Sequence, residues 1–402
     1  MQTEASVENI SKKRILIVNN NMKVGGIQKS LLNLLYEISP YYDITLYLLN
    51  NVGEYLEKVP KNVRVVGCTS PFKYFGMSQA ESKKRIIDYV FRSFFAVSAR
   101  VFGRGFTTRV ISAFSKRIKE EYDCAISFMQ NAGPHLLYGG CNDFVISKVK
   151  AKKKITFLHC DYENCGSNCP SNNKAYDKFD VIAACSDGCK KTFLRVLPHL
   201  ETRTQTAINC HNFSEITELS SIETVCYDDK YINAIIVARL NSEKGVERAL
   251  HALKNALDKN INVKLHIVGN GDLMNTLQEM CRELDIENDV VFYGSQTNPY
   301  RYIKNADLLF ITSYHEAAPL VIDEAVCLGV PVLSTATTSS EDMILNRNCG
   351  WVCENNQTSI NEAFFDIVSS KDEILEKKKA IENRGPANNS LALEMIEKIL
   401  AE

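Results

Sequence analysis

The sequence contains no uncharged apolar run of about 18 residues, so no helix is expected to span a membrane. Its opening, MQTEASVENISKKR, lacks the apolar core of a secretory signal. Charge is nearly balanced, at a formal −1 with pI near 6.7, and asks for no nucleic acid. The cysteines Cys160, Cys165, Cys169, Cys185 and Cys189 include no C-x2-C pair, which makes a zinc site a poor fit. Without an export signal the chain's fourteen cysteines read as reduced thiols. These absences point to a cytoplasmic globular protein. Its 402 residues, 45% apolar and 24% charged, suffice for two domains.

Strands and helices alternate along the whole chain. Arg14–Val18 reads as a strand that ends in a loop carrying Gly25-Gly26, and Ile27, Leu31, Leu34 and Ile38 mark the next helix. Further apolar runs predict strands over Ile44–Leu49, Cys124–Phe128, Ile155–Leu158 and Val181–Ala184. The second half repeats the scheme. Ala234–Val237 is followed by a helix marked by Val246, Leu250, Leu253 and Leu257, then by Val263–Val268 and the turn Gly269-Asn270-Gly271. Val290–Phe292, Leu308–Ile311 and Val330–Leu333 continue a parallel sheet covered on both faces. A boundary is expected near residues 212–230, where Ser214–Lys230 is polar and aperiodic, and a terminal helix over Pro386–Glu402. Two α/β halves with a cleft between them follow.

Segment 315–325, HEAAPLVIDEA, carries the most chemistry. Pro319 suits a first helical turn, and the amides of Leu320 and Val321 then point free from a helix N-terminus, which favours an anion. Glu316 precedes that end and Glu324 lies about a turn and a half inside it. Acids beside a phosphate-ready helix end suit a ligand bearing both phosphate and hydroxyls, as a nucleotide-sugar does. In VARLNSEKGVE, residues 237–247, Arg239 and Lys244 lie across a strand-end turn where a planar fork and a point charge suit a diphosphate.

The arginine–lysine loop, the GNGD turn, the FYGSQ strand end and the E-x7-E helix occur in the order found in family 4 of the retaining glycosyltransferases. VGGIQKSLLNLL at 24–35 resembles that family's glycine-rich acceptor-side loop, ITFLHCDY at 155–162 its histidine motif, VIAACSDGC at 181–189 its "V-S" strand, and Asn212-Phe213 its hinge side. The resemblance implies the GT-B fold: two Rossmann-like α/β domains facing across a cleft. Residues 12–215 would form the acceptor-binding domain and 216–385 the donor-binding domain, with 386–402 packing back on the first.

By the same resemblance, Arg239 and Lys244 neutralise a leaving diphosphate, Glu324 binds ribose hydroxyls and Glu316 lies against the donor sugar. The backbone at Pro319, Leu320 and Val321 completes the phosphate site, and Gly294 faces the base. His159 sits near the sugar and acceptor, and Gly25 and Gly26 let the backbone approach the ligand. Glu316, His159, Arg239 and Lys244 form the implied catalytic set. A DxD metal motif is not evident, and no metal or other cofactor is expected. Ala317-Ala318 replaces the family's usual Gly-Phe, and Cys160 stands where small or polar residues are usual. The first departure bears on donor identity.

The implied activity is sugar transfer from a nucleotide-diphosphate sugar to a hydroxyl of a glycan or lipid-linked acceptor, in surface polysaccharide or glycolipid synthesis. An epimerase of the same fold and a non-catalytic donor-binding subunit are the alternatives. Residues 83–119 carry ten Lys or Arg against Asp88 alone, interleaved with Phe, Val and Ile. Two readings stand together: a basic amphipathic segment on an anionic membrane surface, at the inner face of the cell membrane, or a helix pair whose apolar face covers the sheet.

Overall fold

The computed structural model describes residues 12–223 and 225–401. Two compact units emerge. One comprises the chain up to Ala184, Leu194–Ala207 and the end from Leu393; the other comprises Cys185–Phe193 and Ile208–Ala392.

In the first unit, β1 (Arg14–Asn19), β2 (Asp43–Leu48), β3 (Arg64–Gly67), β4 (Glu121–Ser127), β5 (Lys150–Leu158), β6 (Val181–Ala184) and β7 (Thr204–Thr206) form one sheet in the order β3-β2-β1-β4-β5-β6-β7. Every pairing is parallel. Ile15 in β1 lies opposite Ile44 on one side and Cys124 on the other. A central parallel strand is covered on both faces, and Ile15, Leu16, Ile17 and Val18 are accordingly all buried. Leu31, Leu34, Leu35 and Ile38 of the helix Gly26–Ile38 are buried too, as their spacing predicts.

The second unit repeats the plan with six strands: β8 (Ile232–Val237), β9 (Val263–Val268), β10 (Val290–Gly294), β11 (Leu308–Ile311), β12 (Val332–Thr335) and β13 (Gly350–Cys353). Their order is β10-β9-β8-β11-β12-β13, again all parallel. The helix Val246–Leu257 buries Val246, Leu250 and Leu253, each worth about 1.5–3 kcal/mol against exposure. Phe310 of β11 stacks on Phe364 at 4.6 Å, joining the helix Gln357–Ser369 to the core.

Each sheet grows outward in both directions from its first strand: β1 lies between β2 and β4, β8 between β9 and β11. Strand order reverses there, and open α/β sheets place ligands outside the carboxyl ends of the strands at such a point.

Several expectations need correction. The polar stretch after residue 212 contains the helix Phe213–Ser220, whose start is capped by Asn212 accepting from the Glu215 amide. Two turns with Ile216 and Ser220 buried give too little periodicity to see. Strands β3, β7 and β13 escape the sequence reading because they are three or four residues long and β3 is an exposed edge. The terminal helix spans Ser390–Ala401, and its end is fixed in the first unit: Lys153 Nζ donates to the Ile399 carbonyl at 2.7 Å and Lys13 Nζ to that of Leu400 at 3.3 Å. Residues 83–119 hold the helices Ile86–Phe102 and Arg104–Ala113; the longer one buries Phe95 and Ala99 in the core beside Leu16 and Val18, while Ile86, Val90, Phe94, Val97 and Val101 face outward.

Candidate functional site

The candidate donor site is built in the second unit from the loops that follow β8 and β11. After β8 the chain passes Arg239, which is exposed and whose guanidinium has no hydrogen bond or ion pair among the described residues. A tight turn, Ser242–Lys244, then leads to Gly245, at φ +57, before the helix Val246–Leu257. Glycine is required here twice over. The left-handed backbone disfavours a side chain, and a Cβ would lie 2.4 Å from the Thr312 carbonyl oxygen.

That close approach knits the two loops together. Thr312 Oγ1 donates to the Gly245 carbonyl at 2.8 Å, and the Tyr314 amide donates to the Glu243 carbonyl at 2.9 Å. Arg248, buried, donates to the Thr312 carbonyl and to Asn355 Oδ1, and its guanidinium lies 4.4 Å from the Tyr314 ring centroid. Asn355 Nδ2 donates to the Tyr314 carbonyl at 3.0 Å, and Thr335 Oγ1 to that of Ser313 at 2.7 Å.

Lys244 and Glu316 meet on this scaffold. Lys244 Nζ lies 2.6 Å from Glu316 Oε1, and Ser313 Oγ donates to the same oxygen at 2.7 Å. The carboxylate side chain is 11% exposed and the ammonium side chain 27%, so both remain reachable from solvent. Beyond Glu316, the Ala317 carbonyl accepts from Ser186 Oγ at 3.0 Å and the Ala318 carbonyl from Asn209 Nδ2 at 3.4 Å. The two residues that replace the family's Gly-Phe are therefore held by their backbone.

Pro319 is the N-cap of the helix Leu320–Cys327, with extended backbone (φ −70, ψ 119), rather than its first helical residue. The physical role is unchanged. No side chain caps this end, and the Ile322 amide already reaches the Pro319 carbonyl, which leaves Leu320 and Val321 to offer theirs. Glu324 is 4% exposed on this helix. Asp323, one residue earlier, is flanked by His211 and Arg347. Gly294 closes β10 after a register shift at Phe292, has φ +67, and has open space where a Cβ would stand.

The acceptor-side candidates lie in the first unit. His159 follows β5, its ring 4.8 Å from that of Phe128 and 5.8 Å from that of Phe157. Burial pushes its pKa down to about 4, against a hydrogen bond to the Phe128 backbone, so the imidazole is neutral at pH 7. Its Nε2 is buried with no hydrogen-bond partner among the described residues. Gly25 caps the helix Gly26–Ile38 in an extended conformation (φ 177) that any residue adopts, and a Cβ on Gly26 would meet nothing within 4 Å. The fold itself thus demands neither glycine.

Sequence reasoning missed the supports: Ser313, Thr312, Arg248, Asn355, Ser186 and Asn209. Only Gly245, directly after Lys244, signalled a turn that needs a glycine. Ser313 lies three residues from Glu316 but a single serine makes no pattern, and the others act on groups distant in sequence.

Residues 225–387 match the family model of glycosyl transferases group 1. An uncharacterized glycosyltransferase of Methanocaldococcus jannaschii is 29% identical over 165 residues, 40% of either chain. The lipopolysaccharide glucosyltransferase WaaG of Escherichia coli is 32% identical over 122 residues, 30% of this chain and 32% of that one. The matches thus span well under two thirds of these relatives' length. In three dimensions the likeness extends further. Anabaena HepE, solved in complex with UDP and glucose, superposes with a TM-score of 0.67 over 97% of this chain and 99% of its own, at 15% identity. Residues 225–387 thus belong to glycosyl transferases group 1, and the chain has the GT-B fold of its structural neighbours.

Proposed function

We propose that the protein transfers a glycosyl group from a nucleotide-diphosphate sugar to a hydroxyl of a glycan or lipid-linked acceptor, with retention of anomeric configuration. The observation that carries this reading is the meeting of Lys244 with Glu316 at 2.6 Å, on loops that also carry exposed Arg239 and an uncapped helix start. Two cations and free amides suit a diphosphate, and an acid paired with one of those cations suits sugar hydroxyls.

In the reaction the bond between the anomeric carbon and the diphosphate oxygen breaks, and one to the acceptor oxygen forms. The acceptor's proton leaves with the phosphate. Positive charge grows on the sugar ring and negative charge on the leaving group. Arg239, Lys244 and the amides of Leu320 and Val321 address the second, so the charge can be met without a metal. Glu316 faces the sugar, Glu324 the ribose hydroxyls and the backbone at Gly294 the base. His159, as a neutral imidazole, can exchange a hydrogen bond with a sugar or acceptor hydroxyl, and Gly25-Gly26 offers bare backbone to a ligand. UDP and glucose in Anabaena HepE support a donor of this class. The reading places the protein in the cytoplasm at the inner face of the cell membrane, in surface polysaccharide or glycolipid synthesis. No described helix is long and apolar enough to cross a membrane.

Incubation with a panel of nucleotide-sugars, following nucleotide release, tests the proposal. Slow hydrolysis to free nucleotide diphosphate supports transfer. Epimer formation would mean an isomerase, and binding without turnover a donor-binding subunit.

A further inference from the structure

The helix Ile86–Phe102 is built inside out. Ile86, Val90, Phe94, Val97 and Val101 recur at helical spacing along one stripe and are 83%, 58%, 61%, 61% and 64% exposed. Its buried residues are Asp88, Phe95, Ser98 and Ala99. The inward side is anchored by polar bonds: Lys73 Nζ to Asp88 Oδ1 at 2.6 Å, Ser98 Oγ to Thr107 Oγ1 at 2.8 Å, and Arg92 Nε to the Met77 carbonyl at 2.7 Å. The chain thus buries a mixed face, with Phe95 and Ala99 in the core and the polar groups bonded, and leaves a longer apolar stripe to solvent. Phe102, Phe106 and Phe114, 50–75% exposed, extend the apolar surface onto the following helix and its end.

Charge identifies what the surface fits. Residues 83–119 carry ten Lys or Arg against one acid in a chain of net charge −1. Eight of those cations are exposed, whereas Asp88 is buried and paired with Lys73. Lys83, Lys84 and Arg85 stand at the start of the stripe, and Arg100 near its end. Seventeen residues make a rod about 25 Å long, and Arg92 and Arg100 interrupt it. That is wrong for a span and right for a helix lying in the interface plane, with its apolar side at the headgroup–acyl boundary and cations among anionic headgroups.

We propose that this stripe is a membrane-docking surface: Ile86, Val90, Phe94, Val97 and Val101 enter the interface of an anionic bilayer, and the flanking Lys and Arg select its charge. The proposal concerns binding alone and stands whether or not the donor reading holds.

The test uses the full chain and vesicles of phosphatidylglycerol mixed with phosphatidylcholine, against phosphatidylcholine alone. Sedimentation should show binding to the anionic vesicles that weakens as salt rises. Fluorescence of Phe94→Trp should shift to the blue with anionic vesicles only. Neutralising Lys83, Lys84 and Arg85 to Gln should lower partitioning by about 100-fold. Phe94→Ser with Val97→Ser should lower it at least about tenfold with an unchanged melting temperature. No binding to anionic vesicles at low salt overturns the proposal. So does binding that ignores the serine variant, since charge alone would then explain adsorption. A dimer in solution that the serine variant dissociates would also overturn it, by assigning the stripe to a second copy of the chain.

Discussion

His211 Nε2 lies 3.1 Å from Asp323 Oδ2, and Arg347 Nη1 lies 2.6 Å from Asp323 Oδ1. Asp323 thereby ties the helix Leu320–Cys327 to the segment just ahead of the helix Phe213–Ser220. Asn389 clasps the same segment, accepting from the His211 amide and donating to its carbonyl.

Burial raises the pKa of Asp323, and the charges of His211 and Arg347 more than reverse that, holding it at about 2. A depressed carboxyl contributes stability that is present above its unfolded value, about 4, and lost as pH falls through its folded one. Asp323→Asn should destabilise the protein at neutral pH by about 3 kcal/mol, because it takes the carboxylate away from the half-buried Arg347 guanidinium and from the buried His211 ring. The deficit should shrink between about pH 4 and pH 2. Urea unfolding of both proteins at several pH values measures this; superimposable curves would remove the pair from the stability account.

Glu316→Gln should keep donor binding within a few-fold and lose most turnover. The amide can still accept from Ser313 Oγ, but it offers no charge to Lys244 or to the reacting sugar. Calorimetry with the donor, run beside a turnover assay, separates the two effects. Unchanged turnover would falsify the assignment.

Arg239→Ala and Lys244→Ala should each cost about 2–4 kcal/mol of transition-state stabilisation, a fall of 10²–10³ in kcat. Wild-type kinetics in either variant would put the diphosphate elsewhere.

Activity should persist in excess EDTA, since fixed cations and helix amides do the neutralising. Loss on chelation, restored by magnesium or manganese, would contradict this.

Cys165 is exposed, with its Sγ 3.2 Å from that of Cys160. Its hydrogen bond with Cys160 is the largest cause of a pKa lowered to about 6, against partial burial. Iodoacetamide should therefore modify Cys165 first at neutral pH, at a rate that levels off above about pH 7. Cys160→Ala should move the midpoint toward an ordinary thiol. Peptide mapping across pH reads both, and uniform labelling of all exposed thiols would count against the contact.

Apolar runs such as Ile15–Val18 and Val263–Val268 made the sheets legible, because a strand buried on both faces has little choice of composition. The short edge and end strands β3 and β7 carry no such burden and left no trace. The charged residues of the donor loops could be read because charge at a strand end is conspicuous. What holds them could not: Arg248 reads as a helix-surface cation, yet it is buried on the Thr312 carbonyl. The helix Ile86–Phe102 shows the limit of periodicity. The pattern gave the stripe, but only the burial of Asp88, Phe95, Ser98 and Ala99 reveals which face is turned out.

The contact between Lys244 and Glu316 also bears on which anions the protein ignores. A lysine already matched by a carboxylate projects little field into solvent, so a bare phosphate entering from solution must compete with an acid held in place by Ser313. A ligand that presents an anion and a hydroxylated ring together can part the two and engage each at once. Discrimination against the abundant small phosphates of a cell would then come from this exchange: neither half of the ligand is rewarded until the other half has arrived.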